Sequence, residues 1–231
     1  MRIGLIVAME KEMVQLRSLL SEVREHTDDR QVVVSGVIGN NEIFLQQCGI
    51  GKVNAAVGCS SMIHTYLPDC VISTGCAGGA STELEVTDVV VGTDYVYHDV
   101  YCGKDVEYGQ FVGMPPRFVA DKTLVEKALT LDVGTRIHAG RIASGDWFVD
   151  SKDKIRSILD KFPDAMAVDM ESCAIAQTCF LYGVPFVSFR VISDIPLKDT
   201  DASQYFDFWQ RIAEGSFEVT RHYLETLDVG L

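Results

Sequence analysis

Acidic residues in this sequence collect where apolar, β-branched runs give way to turns. Met9-Glu10-Lys11-Glu12 follows RIGLIVA, Asp169-Met170-Glu171 follows AMAV, and Ser193-Asp194 follows PFVSFRVI. Two further runs end in a glycine-rich stretch, Thr74-Gly75-Cys76-Ala77-Gly78-Gly79, and in a polar turn with two aromatics, Ser144-Gly145-Asp146-Trp147-Phe148. In parallel sheets, ligands bind beyond the carboxyl ends of the strands. Carboxylates on separate strand ends flank a ligand from different sides, an arrangement suited to giving and taking protons. Arg190 lies inside an apolar run, where a charge must be paired or face a cavity. Each feature has a plainer reading alone. Glu10 and Glu12 suit the first turn of a helix, Asp169 or Glu171 suits a helix start, Asp194 suits a turn with Pro196, and a glycine-rich turn is often structural. Their joint placement favours a carboxylate-lined, aromatic-walled cleft.

Other chemistries find little support. Gly51-Lys52 hints at a phosphate-binding loop, but Gln46 and Val53 stand where that motif needs Gly and Ser/Thr. The sequence has no GxGxxG, GxSxG, CxxC, CxxH or HExxH, so neither a metal nor a dinucleotide cofactor is expected. A net charge of −13 across 231 residues repels phosphate backbones and anionic lipid, which argues against nucleic-acid and membrane partners. Seven cysteines, mostly in apolar runs, read as reduced thiols. With an acidic pair in MRIGLIVAMEKEM and no long apolar span, this predicts a cytoplasmic protein.

The elements that must position these residues alternate along the chain. Strands are expected over 2–8, 31–38, 42–48, 69–74, 86–97, 135–143, 165–169 and 184–192, with a hairpin across Gly39-Asn40-Asn41. Helices are expected over 11–20, 52–66, 121–130, 151–161 and 171–182, and as one long amphipathic helix from Ser203. This predicts a single α/β domain over 1–231, with a central mixed, largely parallel sheet flanked by helices. Residues 98–118 form a long segment without periodicity, of the kind used at functional sites or interfaces.

MRIGLIVAMEKE, CGIGKVNAA, STGCAGGA, YHD with EYGQ, SGDWF, AVDMES and FRVISD occur in the order seen in 5′-methylthioadenosine/S-adenosylhomocysteine nucleosidases. The chain resembles that family over essentially its whole length, within the nucleoside phosphorylase/hydrolase superfamily. The resemblance implies hydrolysis of the N-glycosidic bond of 5′-thio-substituted adenosines without metal or cofactor. It assigns Asp194 as the acid toward adenine N7, oriented by Ser193, and Glu12 as the base that activates water. Met170 and Glu171 become the ribose-binding pair, with Arg190 near sugar and water. Phe148 stacks on adenine and Val149 bonds its edge, while Met9, Ile50, Cys76 and Phe206 complete the substrate-binding set. An oxocarbenium-like transition state needs such an acid and base on opposite sides. Glu171, at a helix start, is expected to stay ionised, whereas burial and like charges would raise Asp194. Cys76 replaces the serine common in the family. Lys104, Asp105 and Val106 replace the aromatics of the segment that, in relatives, reaches across a homodimer. The alternatives are a relative taking another 5′-substituent (5′-deoxyadenosine or futalosine type), a nucleoside phosphorylase, and a non-catalytic nucleoside-binding protein.

Overall fold

In the computed structural model, which describes residues 1–28, 31–198, 202–212 and 217–227, the apolar run Arg2–Val7 forms β1 and is buried from Ile3 onward. Burial on both faces explains why the run is apolar at successive positions. Glu10–Arg17 forms α1, and β2 (Ser21–Asp28), β3 (Gln31–Ile38) and β4 (Asn41–Gln47) form an antiparallel meander. Then come α2 (Lys52–Tyr66), β5 (Cys70–Gly79), β6 (Val89–Tyr97), β7 (Phe118–Val119) and α3 (Lys122–Leu129). They are followed by β8 (Ile137–Ser144), α4 (Lys152–Leu159), β9 (Ala165–Asp169), α5 (Ser172–Tyr182) and β10 (Phe186–Asp194). After α6 (Ser203–Asp207), a π-helical turn spans Phe208–Ile212, and α7 (Glu218–Thr226) is the last described helix. Part of the single long helix expected from Ser203, residues 213–216, lies outside the described residues.

The strands form one ten-stranded mixed sheet in the order β10-β6-β8-β9-β5-β1-β4-β3-β2, with β7 on β6. A further pairing of β10 with β5 closes β5, β9, β8, β6 and β10 into a barrel. The expected largely parallel sheet is therefore corrected in two respects. Parallel pairs (β1 with β4 and β5, β5 with β10, β6 with β8, β8 with β9) are matched in number by antiparallel ones. The sheet is also closed on itself rather than open between helical layers.

The cause lies in β5. Its start pairs with β1 through Cys70–Ser73, its end pairs with β9 through Gly78 and Gly79, and β10 runs along its other side. One strand thus serves two neighbours in succession on one edge, and bends as it does so. Glycines are tolerated where a strand turns a barrel corner or meets another chain closely. The stretch Thr74–Gly79, expected to be a turn, is therefore strand throughout. β2 also escaped the sequence reading, because SEVREHTD carries edge-strand charges rather than apolar alternation.

Phe189 of β10 and Tyr223 of α7 are fully buried and stack face to face, with ring centroids 4.9 Å apart and planes at 5°. Phe189→Ala is expected to cost about 3–5 kcal/mol of stability, as a large core side chain replaced by a cavity does. Urea unfolding followed by circular dichroism measures it.

Candidate active site

Buried carboxylates converge where β1, β5, β9 and β10 end. Glu12 sits in the first turn of α1 and is 1% exposed. Its Oε2 accepts the N–H groups of Ala8 and Met9, both at 3.0 Å, the second being half of a capping box. Its Oε1 accepts the Cys76 N–H at 3.0 Å and the Cys76 thiol at 3.5 Å. Burial, and then the Glu12 charge, push the Cys76 thiol well above its ordinary range, so it remains a donor. Glu10, two residues earlier, is exposed.

Gly75 makes this approach sterically feasible. At its φ of +140°, a Cβ would stand 2.4 Å from Glu12 Oε1 and 2.9 Å from Arg190 Nη1. Arg190, on β10, is 1% exposed and held on every side. Its Nη2 meets Asp169 Oδ2 at 2.8 Å and Glu171 Oε2 at 3.9 Å. It also donates to the Thr74 carbonyl and to the hydroxyls of Ser73, Ser172 and Ser188. Asp169 accepts in turn from Ser144 Oγ at 2.5 Å and from the Ser172 hydroxyl and N–H.

Glu171 stands at the N-cap position of α5, its side chain bonding none of the helix's own N–H groups, and its Oε1 instead accepts the Gly51 N–H at 3.0 Å. Burial, reinforced by Asp169, raises its carboxyl to about 7 against the pull of Arg190. The expectation that the helix start keeps Glu171 ionised is corrected: desolvation and a neighbouring like charge exceed a helix-end effect. Asp194 ends β10 just past a register shift against β5, where Ile192 pairs with Ala77 and Asp194 with Gly78. Such irregularities re-aim a side chain at the end of a strand. Its Oδ1 accepts the Ser193 hydroxyl at 2.6 Å.

These groups open into one solvent-connected cleft. Met9, Glu12, Ile50, Cys76, Phe148, Val149, Met170, Glu171, Ser193 and Asp194 all line it, and Arg190 lies behind the wall. Phe206 does not line it. It is 57% exposed, and Tyr205 occupies the cleft instead, edge-on to Phe148 at 5.3 Å. Adjacent residues of a helix point about 100° apart, so a one-residue error in register exchanges wall for surface. Trp147 and Asp169, both in strand-end turns of the sequence, also line the cleft. Tyr205 was missed altogether, and only the phase of α6 could have found it.

Comparison with known proteins agrees with this geometry. Residues 2–225 match the model of the phosphorylase superfamily, and the chain belongs to that family. Within it, the chain is 41% identical over 213 residues to a 5′-methylthioadenosine/S-adenosylhomocysteine nucleosidase of Bacillus cereus (strain G9842), covering 90% of this chain and 92% of the relative. It is 38% identical to the nucleosidase of that name from Desulfotalea psychrophila, covering 100% of both. The structure of the Streptococcus pneumoniae nucleosidase with the transition-state inhibitor MT-ImmA superposes with a TM-score of 0.92 at 33% identity, covering 99% of this chain and 100% of that one.

The raised Glu171 carboxyl has a consequence for stability. Its ordinary value is 4.5 and its folded value about 7, so between them the native state holds more proton than the unfolded chain. Stability from this group therefore falls as pH rises through that window. Glu171→Gln, which cannot ionise, is expected to gain melting temperature relative to wild type as pH rises from 5 to about 7.5. Melting curves of the two proteins across that range check it. A constant difference would contradict the assignment.

Proposed function

We infer that this chain hydrolyses the N-glycosidic bond of 5′-methylthioadenosine and S-adenosylhomocysteine, releasing adenine and the 5-thio-substituted ribose. It is an N-glycosidic hydrolase. The observation that carries the reading is the convergence of Glu12, Glu171 and Asp194 on one aromatic-walled cleft in a chain so similar to nucleosidases of that name.

The residue roles are those the family resemblance implies, and elementary chemistry supports them. Adenine leaves poorly as an anion, so Asp194, steadied by Ser193, donates a proton to the departing base. Glu12, held by backbone N–H groups on both oxygens, orients and deprotonates water on the opposite side of the sugar. Glu171 and Met170 hold the ribose, with Arg190 beneath, and Phe148 covers the adenine ring while Val149 offers its backbone. Met9, Ile50, Cys76 and Tyr205 complete the wall. Phosphorolysis is disfavoured, because a cleft lined by acids offers phosphate no free cation among the described residues: Arg190 is already committed to Asp169 and Glu171.

The expected homodimer belongs to the same reading. Val53 and Val57 of α2, and Phe180 and Leu181 of α5, are more than half exposed, as are Tyr101 and Val112 of the 98–118 segment. The two helices pack together, and exposed apolar residues on neighbouring helices suit a protein interface. Tyr95 and Tyr97 are buried within the chain itself and add nothing to that face. No described helix is long and apolar enough to cross a membrane. The seven free thiols suit a cytoplasmic location.

Activity in phosphate-free buffer, scored as free base across adenosine, methylthioadenosine, S-adenosylhomocysteine, 5′-deoxyadenosine and inosine, tests the assignment. Release from the two thio-substituted nucleosides is expected to dominate, and absence of release without phosphate would refute it. Asp194→Asn should fold and bind adenine yet lose nearly all turnover, because Asn donates a hydrogen bond but no transferable proton. Glu12→Gln should lose roughly 10²–10⁴-fold, with exposed Glu10→Gln close to wild type. Sedimentation at micromolar concentration should show a dimer, and Val57→Glu with Leu181→Glu should yield monomers.

A further inference from the structure

The loop Gly145–Asp150 carries Trp147, Phe148 and Val149 into the cleft without any helix or strand of its own. Something must hold it, since binding residues on an unsupported loop position a ligand poorly. The support is a compact ionic cluster beneath it. Asp99 Oδ2 accepts the Asp146 N–H at 2.8 Å and the Lys52 ammonium at 2.7 Å. The Lys52 N–H donates to Asp146 Oδ1 at 2.9 Å, and the Lys52 ammonium lies 3.7 Å from Asp146 Oδ2. His98, beside Asp99 in sequence, packs its ring 5.2 Å from that of Trp147. Burial would raise the Asp99 carboxyl, but the hydrogen bonds from Lys52 and the Asp146 N–H prevail and hold it below the ordinary carboxylate range.

The preceding residue makes the cluster more than a loop anchor. Gly51, adjacent to Lys52, donates its N–H to Glu171 Oε1. One dipeptide, Gly51-Lys52, therefore touches the carboxylate on the sugar side with one N–H and the aromatic loop on the base side with the next. The arrangement leaves little room, because a Cβ on Gly51 would stand 3.0 Å from Asp146 Oδ1.

We propose that Asp99 and Lys52 are positioning residues for the base-binding loop, clamping it to the start of α2 so that loop and Glu171 share one reference point. Neither side chain lines the cleft, so both act through residues that do. The inference rests on the reading of the cleft as an adenine site.

The test is adenine inhibition of nucleoside hydrolysis, with the fluorescence of Trp147 recorded in a Trp209→Phe background. Asp99→Ala and Lys52→Met are expected to weaken adenine inhibition about ten- to a hundredfold, the scale of one charged hydrogen bond, and to shift Trp147 emission. KM should rise more than kcat falls. Asp99→Asn, which keeps one acceptor oxygen, and Lys52→Arg, which keeps the charge, should recover part of the loss. Should Asp99→Ala fail to fold, Lys52→Met carries the test, since that side chain is only partly buried. Variants that melt lower yet bind adenine as wild type does would overturn the proposal and leave the cluster merely structural. A wild-type enzyme that adenine does not inhibit would instead overturn the reading of the cleft.

Discussion

A fully buried guanidinium is the constraint around which the site is organised. Arg190 cannot shed its proton, and a lone charge in that position would be prohibitively costly to desolvate. Its environment is correspondingly complete: Asp169 in direct contact, Glu171 slightly further off, and hydroxyls from three strands or helices on the remaining donors. Removing one member of such a set leaves an uncompensated charge, which is far more damaging than never having built the set. The arginine thereby ties β5, β9, β10 and the start of α5 to one another, and these are the elements whose ends present Cys76, Met170, Glu171 and Asp194.

The same arrangement divides labour among the acids. Asp169 is spent on the arginine and on two serines. Glu171, at 3.9 Å from that cation against 2.8 Å for Asp169, is desolvated without full compensation, and its carboxyl is raised to about 7. Glu12 is fixed instead by the N–H groups of Ala8 and Met9, just past β1, and of Cys76 within β5, so its direction is set before any ligand enters.

Much of this was readable from residue order. Strand-end acids mark the cleft because apolar runs betray the strands and the acids follow them immediately; Glu12, Glu171 and Asp194 converge for that reason. The closure of the barrel was not readable, because it depends on β10 and β9 meeting opposite edges of β5, a long-range pairing with no local pattern. The stretch Thr74–Gly79 misleads for a related reason: glycine signals a turn locally, yet here it lets β5 bend and lets Glu12 and Arg190 approach Gly75. Tyr205 and Phe206 are equivalent in composition and differ only in helical phase. The ionisation of Glu171 depends on three-dimensional neighbours from β9 and β10 that no helix-end rule contains.

The cysteine at position 76 has a further chemical meaning. Thiolate, not thiol, is the species that attacks electrophiles and oxidants. Burial beside the Glu12 carboxylate suppresses the thiolate, so the sulfur most intimately placed in this pocket is also among the least nucleophilic in the chain. The cysteine in the cleft is thus kept in its thiol form by the carboxylate it touches, while Cys102 stands exposed on the surface.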